Sequence, residues 1–362
     1  MIKILVVGDF HANLHEQAFY DAFSELGYDT EKFSWHQYFG KAPYNRSASK
    51  LLRSINLWSK VQYHFSFGPL VNKLNRELLK KVREYKPDLV FIYRGTHIKP
   101  KTLNKIKSVG AVIFGYNNDD PFSKKYPAHF WRHFRKGIKY YDHLFAYRHK
   151  NIADYQAIGY AEVSLLRSYY IKKNNFHYDI LPSHRYDCDV MFAGHFENDG
   201  RDEYLKVLLE KGINLRLFGS DWHQSKHFQY FIDKCGPIDY LNNQEFNLAL
   251  NSTKIALVFF SKLNNDTYTR RVFEIVAAKT LMLAPYTDDM ASMFAKGKEA
   301  DYFNSPVELL AKVKYYLDNA LVREQLVESA FLRLANDGHE VKDRVKEVVK
   351  VYQEVHEKNL NH

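Results

Sequence analysis

The most evident chemistry in the chain lies in one stretch, residues 266–283, which reads DTYTRRVFEIVAAKTLML. Arg270 and Arg271 stand side by side, and Glu274 follows within one helical turn. Adjacent guanidiniums present planar N–H forks that suit a diphosphate. A carboxylate beside them can accept from the paired hydroxyls of a ribose. A plainer reading stays open, in which Glu274 favours the helix dipole and the arginines are solvated.

The elements around this stretch place it. IALVFF, residues 255–260, is a continuous apolar run of strand length, and LMLA, residues 281–284, is another. Strand, polar loop, helix and strand make one crossover of a parallel sheet. The loop and the helix N-terminus then fall at the carboxyl edge, where open α/β sheets bind ligands.

The same grammar recurs along the chain. IKILVVG, residues 2–8, leaves its strand into Asp9-Phe10-His11, and a helical pattern of apolar residues runs on to Gly27. No GxGxxG accompanies it. His11 sits where a cleft residue would sit. The strand at 86–95 ends in Arg94-Gly95-Thr96-His97. The strand at 111–116 opens into Asn117-Asn118-Asp119-Asp120-Pro121-Phe122, whose two acids either face a cleft or serve as turn and cap residues. VMFAG, residues 190–194, leads through Gly194 to Asp199-Gly200-Arg201 and a helix at 203–211. The strand at 215–222 carries Phe218 and Trp222, aromatics that could border a base, and Gly236-Pro237-Ile238 forms a turn that could present its backbone to a base edge. Helices are also expected at 151–159, 242–250, 308–317 and 321–335. The closing stretch keeps Val341, Val345, Val348, Tyr352 and Val355 on one face, which needs a partner surface.

Length and composition set the bounds. The chain has 362 residues, 46% of them hydrophobic, which predicts two domains of about 150–180 residues. Residues 171–186 read as a linker. No apolar run approaches the length of a membrane span, and the opening strand has no signal-peptide pattern. Two cysteines, Cys188 and Cys235, outside any paired Cys/His motif, fit a reducing, cytoplasmic setting and no zinc site. The net charge of +10 is uneven: residues 1–186 hold 30 Lys and Arg against 15 Asp and Glu. The N-terminal half is thus expected to face something anionic, whether an acceptor or the inner surface of a membrane.

Three further signals rank lower. Residues 46–66 suggest a basic amphipathic helix with Trp58, which fits a membrane interface or an ordinary packed helix. Residues 122–150 interleave basic and aromatic residues, but no RNP or helix-turn-helix pattern goes with them, so nucleic acid is the least favoured partner. Asp187-Cys188-Asp189 is a DxD that begins a strand instead of ending one, the wrong edge for a metal-nucleotide site.

Together these features resemble the CgeB-like, spore-maturation type of glycosyltransferase, a GT-B relative of the group 1 glycosyltransferases. The resemblance rests on residues 117–122, on Phe192-Ala193-Gly194 with Asp199-Gly200-Arg201, on Leu217-Phe218-Gly219-Ser220-Asp221-Trp222, and on Ser252-Thr253-Lys254-Ile255. Its most specific part is Thr269-Arg270-Arg271-Val272-Phe273-Glu274-Ile275, which matches the family's R-x-F-E. The residues 297–300 and 339–344 extend it. Asn118 replaces the first Pro of the family's NPDDPF-like run, and Ala278-Lys279-Thr280 lacks the usual glycines after R-x-F-E.

The resemblance implies two Rossmann-like βαβ domains facing across a cleft. The N-terminal, acceptor-side domain is expected at 1–170 and the donor domain at 187–335, with a helix at 338–362 returning to the first. It implies a hexosyltransferase taking a UDP- or GDP-linked sugar to a glycan, lipid or protein, with retention favoured over inversion and no metal or other cofactor. Donor contacts would come from Gly194, Arg201, Phe218, Gly219, Trp222, Gly236, Ile238, Thr269, Arg271 and Glu274. Asp266 takes the place of a sugar-contacting Glu, and His11, Asp119 and Asp120 are the remaining catalytic candidates, with Arg94 and His97 on the acceptor side. Rival readings are a nucleotide-sugar epimerase of the same shape and a non-catalytic carbohydrate-binding or assembly protein.

Overall fold

The computed structural model describes residues 1–39 and 50–360, without the side chains of 50–56 and 359–360. It divides into two units, Met1–Arg167 with Val341–His362, and Ser168–Glu340.

The first unit runs β1 (Lys3–Gly8), α1 (Glu16–Glu25), β2 (Asp29–Ser34), α2 (Lys50–Phe65), α3 (Pro69–Tyr85), β3 (Leu89–Tyr93), α4 (Pro100–Lys107), β4 (Val112–Asn117), α5 (Arg132–Gly137), β5 (His143–Ala146), α6 (His149–Ala157) and β6 (Val163–Leu165). Its six strands are all parallel, in the order β2-β1-β3-β4-β5-β6. Every residue of β3 and β4 is buried, because helices cover both faces of a parallel sheet. That is why these strands read as uninterrupted apolar runs. β2 lies at the sheet edge and buries only Phe33, so DTEKFS carries almost no apolar signal. Pro69 and Pro100 open α3 and α4, where a missing N–H costs nothing.

The second unit runs β7 (Cys188–Ala193), α7 (Arg201–Glu210), β8 (Leu215–Phe218), α8 (Phe228–Cys235), α9 (Asn243–Asn251), β9 (Thr253–Leu257), α10 (Arg271–Ala277), β10 (Leu281–Pro285), α11 (Asp288–Met293), β11 (Asp301–Phe303), α12 (Pro306–Asp318) and α13 (Ala320–Asn336). Its five strands are parallel in the order β11-β10-β9-β7-β8. Asn242 and Glu245 close a capping box on α9, and Ser305 caps α12. Residues 171–186, expected as a linker, pack into this unit. The backbone N–H groups of Phe176 and Tyr178 donate to the Asn247 and Asn251 side chains on α9. Those side chains replace the water that a free linker would need.

The last helix, α14 (Val341–Leu360), belongs to the first unit. It packs on α1, with Val341, Val345 and Val348 buried and the Tyr352 ring edge-on to Phe114. The apolar face seen in the sequence thus finds its partner. The basic helix expected at 46–66 appears as α2; Arg46 lies outside the described residues, as do the side chains of Lys50 and Arg53.

Candidate functional site

At the carboxyl edge of the second sheet, the chain leaves β9 through a long loop and enters α10. That helix has only seven residues, so side chains carry the electrostatics here more than the backbone dipole does. Glu274 is buried, and its two oxygens lie 3.1 Å from Arg270 Nε and 2.8 Å from Arg271 Nη1. Burial alone would push the carboxyl up, but the two guanidiniums outweigh it and hold it below the ordinary carboxylate value. Arg271 also stacks over the Phe246 ring, 4.0 Å from its centre. The triad carries two positive charges and one negative, with the Arg271 side chain about one-third exposed. Thr269 is half-buried, and its carbonyl accepts from Val272 N–H in the turn that starts the helix.

A second group forms around the loop after β7. Arg201 is almost wholly buried and donates to both oxygens of Asp199 and to the His195 carbonyl. Its charge is spent inside the loop, so it braces that loop instead of reaching outward to a diphosphate. Glu197 meets His195 at 2.9 Å and accepts from Lys262 N–H; burial opposes its ionisation, yet His195, Ser261 and Arg201 bring it down to about 2. The loops after β7 and β9 are thereby joined, and Asp266 closes back on the second through its N–H to the Ser261 carbonyl.

Phe218 and Trp222, expected to border a base, lie inside the core instead. Trp222 Nε1 donates to the Gly194 carbonyl at 2.9 Å, which settles the indole's polar edge within the protein. Gly219 has φ +130°, and a Cβ there would run into the Gly194 carbonyl, so only glycine allows the ends of β7 and β8 to meet. Gly219 N–H donates to the Asp239 carbonyl, bringing the segment of Gly236 and half-buried Ile238 beside that crossing. Asp187 and Asp189 sit at the opposite, amino end of β7, paired with His184 and Lys254. Among the described residues no group of three or more His, Cys, Asp or Glu is placed to share a metal ion.

The carboxyl edge of the first sheet holds a cluster that the sequence reading only partly found. Arg94 donates to Asp119 at 2.8 Å and lies 4.0 Å from Asp9. Burial works against its charge, but Asp119 more than restores it. Asp9 is buried, 3.0 Å from His36 Nδ1, and accepts from Tyr63 Oη at 3.1 Å. Burial and the Asp9 charge push the Tyr63 phenol up to about 12. Glu16, also buried, accepts from Asp9 N–H, and loss of solvation raises its carboxyl above the usual value. His11 is exposed, its ring 4.9 Å from that of His36.

Two other candidates fall away from this cluster. His97 is buried between Trp35 and Tyr63, with its ring nitrogens on Thr96 Oγ1 and the Tyr63 carbonyl. Burial lowers it to about 4, so it is a neutral core residue. Asp120 is fully buried and accepts from Asn151 and from Phe122 N–H, which makes it a turn residue. Asp9 was visible one residue beyond β1; Glu16, His36 and Tyr63 reach it from three other elements and carry no local motif.

Residues 201–350 match the family model described as glycosyl transferase-like. That segment contains the Arg270–Arg271–Glu274 triad. Sucrose-phosphate synthase from Thermosynechococcus elongatus superposes with a TM-score of 0.68 at 9% identity, over 99% of this chain and 100% of that one. The fold is that of the GT-B glycosyltransferases. The GT-B likeness extends over all of both chains to Anabaena HepE in complex with UDP and glucose, with a TM-score of 0.67 at 10% identity. A glycosyltransferase from Rickettsia africae gives 0.66 at 11% identity, over 98% of each chain. No curated protein sequence matches this GT-B chain.

Proposed function

We propose that this protein transfers a sugar from a nucleotide-sugar donor to a glycan, lipid or protein acceptor, and that it does so within the CgeB-like type. The observation that carries the reading is the Arg270–Arg271–Glu274 triad, built on a buried Glu274 at the carboxyl edge of the second sheet, inside the segment matched by the glycosyl transferase-like family. A guanidinium has five N–H donors, and Glu274 occupies one of those on Arg271, leaving others for a diphosphate. Each Glu274 oxygen keeps acceptor capacity for a ribose hydroxyl. Charge-assisted contacts of this kind contribute roughly 1.5–3 kcal/mol each. As the glycosidic bond breaks, the negative charge that grows on the departing diphosphate meets cations already in place.

The donor is taken to be UDP-linked, as in the HepE structure solved with UDP-glucose. The arginines supply the positive charge at the diphosphate, so donor binding is proposed to survive EDTA unchanged. Retention is the favoured course: Asp119, Asp120 and Asp9 are engaged by Arg94, by Asn151, and by His36 and Tyr63, which leaves exposed His11 as the candidate base an inverting course would use. The first unit's excess of cations points to an anionic acceptor or membrane surface on that side.

The deciding experiment incubates the protein with UDP- and GDP-sugars and scores nucleotide release with and without acceptor. Acceptor-dependent release supports the reading. Epimerised sugar without acceptor would replace it with an epimerase, and no turnover with no donor binding would leave a carbohydrate-binding protein.

A further inference from the structure

The turn between α2 and α3 is built in an unusual way. Gln62 is buried, and its amide oxygen accepts from Leu70 N–H while its side chain fills the space beside Gly68. Gly68 has φ +102°, a conformation that a side chain would strain. Arg132 and His133 of α5 tie down the carbonyls of Phe65 and Ser66. A polar side chain is thus inside, while Phe65 and Phe67 are 40% and 42% exposed on a braced turn. Leu57 and Trp58 on α2 are still more exposed, and Trp58 meets Phe67 edge-on. Large apolar side chains held outward together mark a contact surface more than a folding remnant does.

Charge continues the same surface. Lys99 donates to Asn72 of α3, whose own N–H reaches the Gly68 carbonyl one helical turn away, and it opens onto a groove of about 570 Å³ between α3 and α4. That groove is lined by Arg76, Lys80, Arg83, Lys99, Lys101 and Lys105 against the single acid Glu84. The whole first unit holds 32 Lys and Arg against 18 Asp and Glu.

We propose that this face docks on an anionic lipid bilayer, with Leu57, Trp58, Phe65 and Phe67 entering the interface and the α3–α4 groove taking lipid phosphates. Protruding Trp, Phe and Leu bordered by cations is the pattern of an interfacial anchor. A purely electrostatic partner such as a soluble polyanion would leave the exposed leucine and aromatics unexplained. The proposal deepens and rests on the anionic-surface reading above, yet its test needs no donor, so the two fail separately.

The test is cosedimentation of the full chain with vesicles of phosphatidylcholine alone and of equal parts phosphatidylcholine and phosphatidylglycerol. Partitioning is expected to favour the anionic vesicles by about tenfold or more and to fall as salt rises. Trp58→Ser with Phe67→Ser should cut it by about tenfold with the circular dichroism spectrum unchanged. Lys101→Gln with Lys105→Gln, two exposed positions, should weaken it and flatten its salt dependence. Equal recovery with neutral vesicles, or unchanged partitioning of both folded double variants, would overturn the proposal. So would binding to single-stranded RNA by a protein that ignores both kinds of vesicle.

Discussion

The Arg271 guanidinium stacks on the Phe246 ring while one of its nitrogens donates to Glu274, so a flat face and an edge are both fixed. Lysine can copy neither the stacking nor the planar fork.

Arg271→Lys is therefore expected to weaken nucleotide-sugar binding by about tenfold, or ~1.4 kcal/mol, and Arg271→Ala by about 2–3 kcal/mol. Isothermal titration calorimetry reads both. Unchanged affinity for the alanine variant would remove the triad from the donor site.

Glu274 also couples stability to acid. Its folded pKa is depressed, so its contribution is complete above the ordinary carboxylate pKa and is lost as pH falls through the lower folded value. Glu274→Gln leaves two guanidiniums without their counter-charge and should cost about 3 kcal/mol near neutral pH, the low end for breaking a buried pair, because Arg271 is partly exposed. Urea unfolding at a series of pH values below 5 should show a shallower acid decline in the variant.

His97 gives a second window. Its folded value of about 4 lies below the usual 6.5, so stability is full above 6.5 and declines as pH falls towards 4, when the unfolded chain takes up the proton first. Burial lowers His143 in the same way, also to about 4. Burial lowers His133 too, so His97→Gln should remove only part of the histidine-dependent slope between those values. If transfer activity, corrected for folded protein, also fell by two orders of magnitude, His97 would return to the acceptor side.

His11 tests the stereochemical course. A retaining enzyme needs no base there, and His11→Ala should change kcat by less than about threefold. General-base loss costs roughly 10²–10⁴-fold. NMR of the anomeric proton in the first-formed product provides the independent check, and an inverted product would overturn retention.

Much of the architecture was legible because buried parallel strands announce themselves. Residues 4–8, 111–116 and 281–284 are apolar without a break, and each became a central or near-central strand. β2 was not legible, since an edge strand with one buried residue has the composition of a loop. The site divided along the same line. Arg271 and Glu274 stand three apart on one helix, so their pairing follows from spacing. Trp222 and Arg201 looked like ligand contacts because an aromatic or a cation beside a strand end can turn either way. The Gly194 carbonyl and the Asp199 carboxylate turned them inward. Tyr63 is 54 residues from Asp9, and only the fold brings them to one edge.

The helix at residues 341–360 makes the first unit discontinuous in sequence: the chain leaves it at Arg167, completes the second unit from Ser168 to Glu340, and then returns. A ribosome therefore delivers every residue of the second unit before the last piece of the first. The second unit can close as soon as it emerges, whereas α1 and Phe114 wait with an uncovered apolar flank until α14 arrives. The half begun first is thus the half whose apolar flank is covered last.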